Sequence, residues 1–273
     1  MILTGKTALI TGGGTGMGAG IARRFVSEGA KVCLAGIVEE DLDKMLEELP
    51  AGQASKCFGD VSKEEDAASM VEETLKLGDG RIDILVNSAG IAGRGSITEI
   101  SLETWERMFA VNLKGPFFLM RAAIPHMIES GGGSIINISS LAGLRCVTDN
   151  TAYCTSKAAL ITLTQQAAMD YGPHGIRCNV ICPGFVLTPM TMEGGLNKLA
   201  KAAGSDIETV ASEAFKDIPM RKPATPEDIS GMCSFLASDD SSYITGLVLP
   251  LDGGISIVDH YFANFTRLVH KKD

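Results

Sequence analysis

With 273 residues, 45% of them hydrophobic and 21% charged, the chain is long enough for one large α/β domain and too short for two well-separated large ones. A formal net charge of −9 without Lys/Arg clusters excludes a surface built for nucleic acid or an anionic membrane. No apolar run reaches the roughly 20 residues that span a bilayer, and the N-terminal M-I-L-T-G-K-T leads into a strand-like segment without signal-peptide architecture, so a cytoplasmic protein is expected.

Residues 6–11 (K-T-A-L-I-T) form a short apolar run that meets G-G-G-T-G-M-G-A-G and then an amphipathic segment over 21–28, the pattern of strand, glycine turn and helix. The rhythm continues with a strand at 31–37, a helix at 39–49, a strand at 55–58, a helix at 62–77 and a strand at 82–86. Such alternation implies parallel strands joined by right-handed crossovers. Ser101 opens a helix running to 128, whose length predicts an irregularity near Gly115-Pro116. A strand at 134–138, a helix at 150–171 and a strand at 176–181 follow, the last stopped by Pro183-Gly184. Residues 188–222 break the pattern with small and flexible residues, the composition of a mobile insertion. A helix at 226–237 and a strand at 246–251 restore it, and the segment after Gly254, ending in H-K-K-D, is expected to fray or to pack on another subunit. With no solenoid repeat and no interdomain linker, 1–273 reads as a single domain.

The seven cysteines are scattered without a C-x-x-C pair, which predicts reduced, mostly buried thiols, and the four histidines are dispersed, so no structural metal is expected.

Chemistry concentrates between 137 and 157. Ser140 offers a hydroxyl where an apolar strand runs out, and Tyr153 and Lys157, four residues apart, share one helical face. A phenol ordinarily titrates near pH 10, and a neighbouring ammonium favours its phenolate. Such a Tyr can give a proton to a carbonyl or take one from an alcohol. The competing readings are an exposed helix pair and a capping serine. The glycine turn, T-G-x-x-x-G-x-G from 11 to 18, suits a pyrophosphate at a helix N-terminus, although a strand–helix turn can also be glycine-rich for packing alone.

Taken together, T-G-G-G-T-G-M-G at 11–18, N-S-A-G at 87–90, Asn112 in V-N-L-K-G, Ser140, Y-C-T-S-K at 153–157 and P-G-F-V-L-T-P at 183–189 resemble the short-chain dehydrogenase/reductase family over almost the whole chain. The resemblance implies a doubly wound, parallel, seven-stranded sheet of Rossmann type in three α/β/α layers, with strand order 3-2-1-4-5-6-7, and commonly a homotetramer. It also implies NAD(P)-dependent hydride transfer between nicotinamide and a ketone or secondary alcohol. Tyr153 is then the general acid/base and Ser140 the donor to the substrate oxygen. Lys157 would hold the nicotinamide ribose and lower the Tyr153 pKa, and Asn112 would position a water in a proton relay through Lys157. Ser140 is chosen over Ser139 for its place thirteen positions before the Tyr, which leaves Ser139 to bond locally to backbone.

The same resemblance assigns the dinucleotide to Gly12, Thr15, Gly16, Met17 and Gly18 in the turn, to Gly36 and Ile37 after the second strand, and to Asp60 and Val61 at the adenine. Asn87, Ala89 and Gly90 would border the adenosine ribose, and Pro183, Gly184, Val186 and Thr188 the nicotinamide amide and pyrophosphate. A second Asn is usual where this chain has Ser88. NAD users often carry Asp at the position of Gly36, and NADP users often carry a basic residue at Ile37 or Thr15, so neither rule is met. Glu39 and Glu40 would repel a 2′-phosphate, which tips the expectation to NAD. A small-molecule pocket is expected from the loop 141–150, the residues after Gly184 and the insertion, with Leu141, Leu144, Cys146, Val147, Phe185, Met190 and Met192 as its apolar walls. A 3-oxoacyl-[acyl-carrier-protein] reductase is the alternative, disfavoured by Glu129-Ser130-Gly131 and Gly172-Pro173-His174 where such enzymes carry basic docking residues. A non-catalytic dinucleotide-binding regulator is the second alternative.

Overall fold

The computed structural model describes residues 1–259. β1 (Thr7–Thr11), α1 (Gly16–Ser27), β2 (Lys31–Gly36), α2 (Glu39–Glu48), β3 (Ala54–Phe58), α3 (Glu64–Leu77) and β4 (Ile84–Asn87) form the first half. The second half contains α4 (Leu102–Phe109), α5 (Gly115–Glu129), β5 (Gly133–Ile138), α6 (Thr151–Tyr171), β6 (Ile176–Pro183), the short helices α7 (Pro189–Thr191), α8 (Asn197–Ala203) and α9 (Ile207–Phe215), then α10 (Pro226–Ala237) and β7 (Val248–Leu251). The strands make one parallel, seven-stranded sheet in the order β3-β2-β1-β4-β5-β6-β7.

Successive residues of a strand face opposite sides, and here both sides are apolar. Ile10, Leu34, Val86 and Ile136 pack with Phe25, Leu42 and Ile229, so α1, α2 and α10 cover one face. Leu9, Cys33, Leu85 and Ile135 pack with Met70, Leu119 and Ala167, so α3, α5 and α6 cover the other. The strand order reverses between β1 and β4, where Thr11 lies level with both Ala35 and Asn87. Chains leaving the carboxyl ends of these strands diverge to opposite faces and leave a crevice there.

Two details depart from the sequence reading, and a third, the irregularity expected in the long helix, takes a specific form. Helix α1 begins at Gly16, inside the glycine turn, rather than at 21. The long helix from 102 to 129 is unbroken, its irregularity being a π turn over Ala110–Lys114, immediately before Gly115-Pro116. The expected mobile insertion is largely helical and has a small core of its own, in which Leu196, Phe215 and Ile218 pack with Phe185, Met192 and Val210. Beyond residue 259, the polar tail lies outside the described residues. Among those described, no helix is long and apolar enough to cross a membrane.

Candidate active site

The glycine turn is shaped by what a side chain would strike. Gly12 takes φ +65°, and a Cβ there would stand 3.1 Å from the Cα of Ala89. At Gly18 a Cβ would fall 2.0 Å from the carbonyl oxygen of Gly12, so α1 can start against the turn only with glycine at that position. Thr15 caps α1 without a side-chain hydrogen bond, and the first turn holds no acidic residue. The helix thus supplies no anion of its own first turn to its positive end, which leaves those N–H groups to a phosphate. A cavity of about 200 Å³ opens beside it. Of the residues expected to hold a dinucleotide, Gly12, Thr15, Gly36, Ile37, Val61, Ala89 and Gly90 line this cavity. Gly16 lies against the Thr188 side chain, 3.3 Å from a Cβ placed there, which brings the loop after β6 onto the start of α1.

Other expected contacts have different surroundings. The Asn87 amide donates to Asn137 Oδ1 at 2.7 Å, inside the sheet and away from the cavity lining. Val186 is buried in the main core, which leaves only its backbone for a ligand. Asp60 accepts from Ser62 N at 2.9 Å and from the Arg107 guanidinium at 2.9 Å, and these bonds, against the cost of burial, hold its carboxyl below the ordinary range. Asp60 therefore organises the turn before α3. Pro183 ends β6, and Gly184 donates to Leu251 O at 3.0 Å with no room for a side chain against Asp252. Met17 packs against the core.

Sequence reasoning missed Thr11 as an organiser. Its Oγ1 accepts from Ser88 N and Ala89 N, both at 3.1 Å, and fastens the N-S-A-G turn to β1. The turn that lacks the family's second Asn is therefore held from the neighbouring strand. Arg107, Val38 and Asp41 also line the cavity and carry no local signature in the sequence.

Around the β4, β5 and β6 ends, four expected residues converge. A Cβ on Gly90 would lie 3.3 Å from both Asn112 Oδ1 and Lys157 Nζ. Asn112, at the centre of the π turn and fully buried, accepts from Ile91 N at 2.9 Å and donates to Ile91 O at 3.0 Å and Ser156 Oγ at 3.2 Å. Protein groups thus fix its side chain, which clamps the segment after β4. Ser139 Oγ donates to Lys157 O at 2.8 Å, a contact across the fold rather than the local one expected. Ser140 caps a short 3-10 turn by accepting from Ala142 N at 3.1 Å, and its hydroxyl is also a hydrogen-bond partner of Tyr153.

The electrostatics differ from the expected acid beside a cation. Lys157 Nζ donates to Ile138 O at 2.9 Å and stands 5.9 Å from the centroid of the Tyr153 ring. Burial lowers the Lys157 pKa to about 8, and burial likewise raises that of Tyr153, with the Ser140 hydrogen bond pulling it down in part. Lys157 is not what sets the Tyr153 value in this arrangement, because its ammonium is directed at a carbonyl. At neutral pH the phenol keeps its proton and the ammonium its charge.

Of the expected apolar walls, Leu144, Val147 and Met190 are 43%, 53% and 49% exposed, and Cys146 is exposed too. Leu141 sits half-buried in the 3-10 turn. Phe185 and Met192 belong instead to the core of the insertion, where the Phe185 and Phe215 rings lie 5.1 Å apart. Glu39 and Glu40 are bound to Lys56 at 3.0 Å and Lys44 at 2.9 Å.

Comparison with known proteins adds a family to this geometry. The family model described as Enoyl-(Acyl carrier protein) reductase matches residues 12–256. The chain is 41% identical to oxidoreductase UcpA of Escherichia coli strain K12, over 93% of this chain and 96% of that one. It is 37% identical to meso-2,3-butanediol dehydrogenase of Serratia marcescens, again over 93% and 96%. Among solved structures, levodione reductase superposes with a TM-score of 0.86 at 32% identity, covering 93% of this chain and 99% of that one.

Proposed function

The chain belongs to the short-chain dehydrogenase/reductase family, and on that premise we propose that it is an oxidoreductase interconverting a small ketone and its secondary alcohol with Tyr153 as general acid/base. The observation that carries this reading is the proximity of Asn112 and Lys157 beside Gly90, which also lines the glycine-turn cavity, together with Tyr153, whose ring lies 5.9 Å from Lys157 Nζ and whose hydroxyl meets Ser140.

The cavity fits a dinucleotide, because it joins an uncapped helix end to glycines that cannot carry a side chain. Gly12, Gly16, Met17 and Gly18 would offer backbone to the pyrophosphate, Val61 and Asp60 the adenine side, and Ala89 and Gly90 the ribose. Pro183, Gly184, Val186 and Thr188 would border the nicotinamide end. When bound, the nicotinamide donates or accepts the hydride. Tyr153 gives its proton to the carbonyl oxygen in reduction and removes one from the hydroxyl in oxidation. Ser140 donates to the same oxygen where negative charge develops. Lys157 offers a buried cation to that end of the site and would hold the nicotinamide ribose, and Asn112 holds the Gly90–Ile91 segment beside it. In reduction, the protonated phenol present at neutral pH is already the required form.

We assign NAD in preference to NADP, since exposed Ile37 and Val38 stand where a 2′-phosphate would need a cation. A homotetramer fits the α5–α6 face, where the exposed Phe117 lines a groove together with Met120, Ile124 and Leu163. A cytoplasmic setting fits the seven free cysteines.

Reduction of a carrier-bound substrate is the second reading, favoured by the wording of the family description. At the end of α5 and the start of β6 the cations Lys6 and Arg81 are each paired, with Asp239 and Asp83, and Arg177 lies partly buried next to them. That surface offers little to an acidic carrier.

Titration of NADH and NADPH by fluorescence, followed by a panel of small ketones, diketones and diols, tests the proposal. Tight NADH binding with turnover on free small molecules is expected. Binding without turnover across the panel would favour the regulator, and turnover only on carrier-linked substrate would favour the second reading.

A further inference from the structure

Three consecutive acids, Glu39, Glu40 and Asp41, open α2 just beyond the exposed Ile37 and Val38. Successive helical residues point about 100° apart, so their carboxylates serve different surroundings. Glu39 turns to Lys56 on β3, and Glu40 lies along the helix against Lys44. Asp41 turns inward. A Cβ on Gly14 would stand 2.9 Å from the Asp41 Cβ, which sets Asp41 directly on the glycine turn. It lines the cavity together with Gly14, Thr15, Gly36 and Ile37. Among the described residues its carboxylate makes no ion pair and no side-chain hydrogen bond. The one cation in the cavity lining, Arg107, is engaged by Asp60 at 2.9 Å and Ser62 at 2.7 Å.

We propose that Asp41 is the residue that selects NAD over NADP, standing in for the acid missing at the end of β2. The inference rests on the dinucleotide reading above. Between the glycine turn and the end of β2, a free carboxylate can accept from a ribose hydroxyl. The same carboxylate repels a 2′-phosphate, whose dianion would lie against Ile37 and Val38 without a free cation to receive it. The three acids look equivalent in the sequence, but Glu39 and Glu40 hold ion pairs with Lys56 and Lys44, whereas Asp41, which feels Lys44 only through space, keeps its carboxylate oxygens for the cavity.

Dissociation constants for NADH and NADPH, measured by fluorescence on the full chain, test the assignment. The wild-type protein, Asp41→Asn, Asp41→Ser and the control Glu40→Gln are compared, with thermal unfolding to establish that each variant is folded. The wild type is expected to bind NADH at least tenfold more tightly than NADPH. Both Asp41 variants should cut that ratio by tenfold or more, through weaker NADH and tighter NADPH binding, while Glu40→Gln keeps it within about twofold. A ratio unchanged in folded Asp41 variants overturns the inference, as does an equal effect of Glu40→Gln or a wild-type preference for NADPH. If the wild type binds neither dinucleotide, it is the underlying reading of the cavity that fails.

Discussion

Lys157 directs its ammonium to the carbonyl oxygen of Ile138, 2.9 Å away, rather than to the Tyr153 hydroxyl. The two side chains share a helical face, with Nζ 5.9 Å from the ring centroid, yet the carbonyl at the carboxyl end of β5, and not the phenol, accepts the ammonium's hydrogen bond. Both groups are shifted by burial toward their neutral forms, Lys157 down to about 8 and Tyr153 upward.

A pH-dependent stability follows for Lys157. Its folded value lies below the ordinary 10.5, so between about 8 and 10.5 the folded chain binds fewer protons than the unfolded one, and stability rises with pH there. Below pH 8 both states are protonated and folding carries the full cost of burying the charge, on the order of 3 kcal/mol. Lys157→Met removes that cost together with the Ile138 bond, worth about 1 kcal/mol. Without dinucleotide the variant is expected to melt above the wild type near pH 6.5, with the gap closing toward pH 10. A gap independent of pH contradicts this account.

Ser140→Ala removes the hydrogen bond that lowers the Tyr153 pKa. Turnover should fall by about 10²–10³, the usual effect of losing one donor to a developing oxyanion. The rising limb of the alcohol-oxidation profile should move to higher pH, because Tyr153 then releases its proton less readily. Loss of the Ala142 cap is expected to cost no more than about 1 kcal/mol of stability. Steady-state kinetics across pH checks both signs.

Thr11→Val keeps the shape and removes the acceptor for Ser88 N and Ala89 N. Two amides left unpaired are expected to cost about 2–4 kcal/mol in denaturant unfolding. Because Ala89 and Gly90 line the cavity, NADH binding should weaken as well. A variant as stable as the wild type would show that the turn is held by other means.

Legibility followed sequence distance. Strand–helix alternation is a local pattern and the order of motifs a collective one; the first pointed to the parallel sheet and to an irregularity near Gly115, and the family resemblance carried by the second implied the sheet order. Contacts across the fold were legible in neither. Thr11 reaches Ala89 over 78 positions and Ser139 reaches Lys157 over 18, and a hydroxyl at the end of a strand gives no sign of which partner it will meet. Phe185 and Met192 read as pocket walls because they are apolar and lie after Gly184 and in the insertion, whereas both pack into the insertion's own core. The Tyr153–Lys157 spacing places both residues correctly, but their titration depends on burial and on Ile138, which spacing does not encode.

The most direct measurement is turnover of Tyr153→Phe alongside its affinity for NADH. The ring stays in place and only the hydroxyl is lost, so turnover on the best small ketone should fall by at least about 10². Dinucleotide affinity should stay within about threefold of the wild type. Activity retained in Tyr153→Phe would contradict the assignment of the phenol as the proton donor and acceptor.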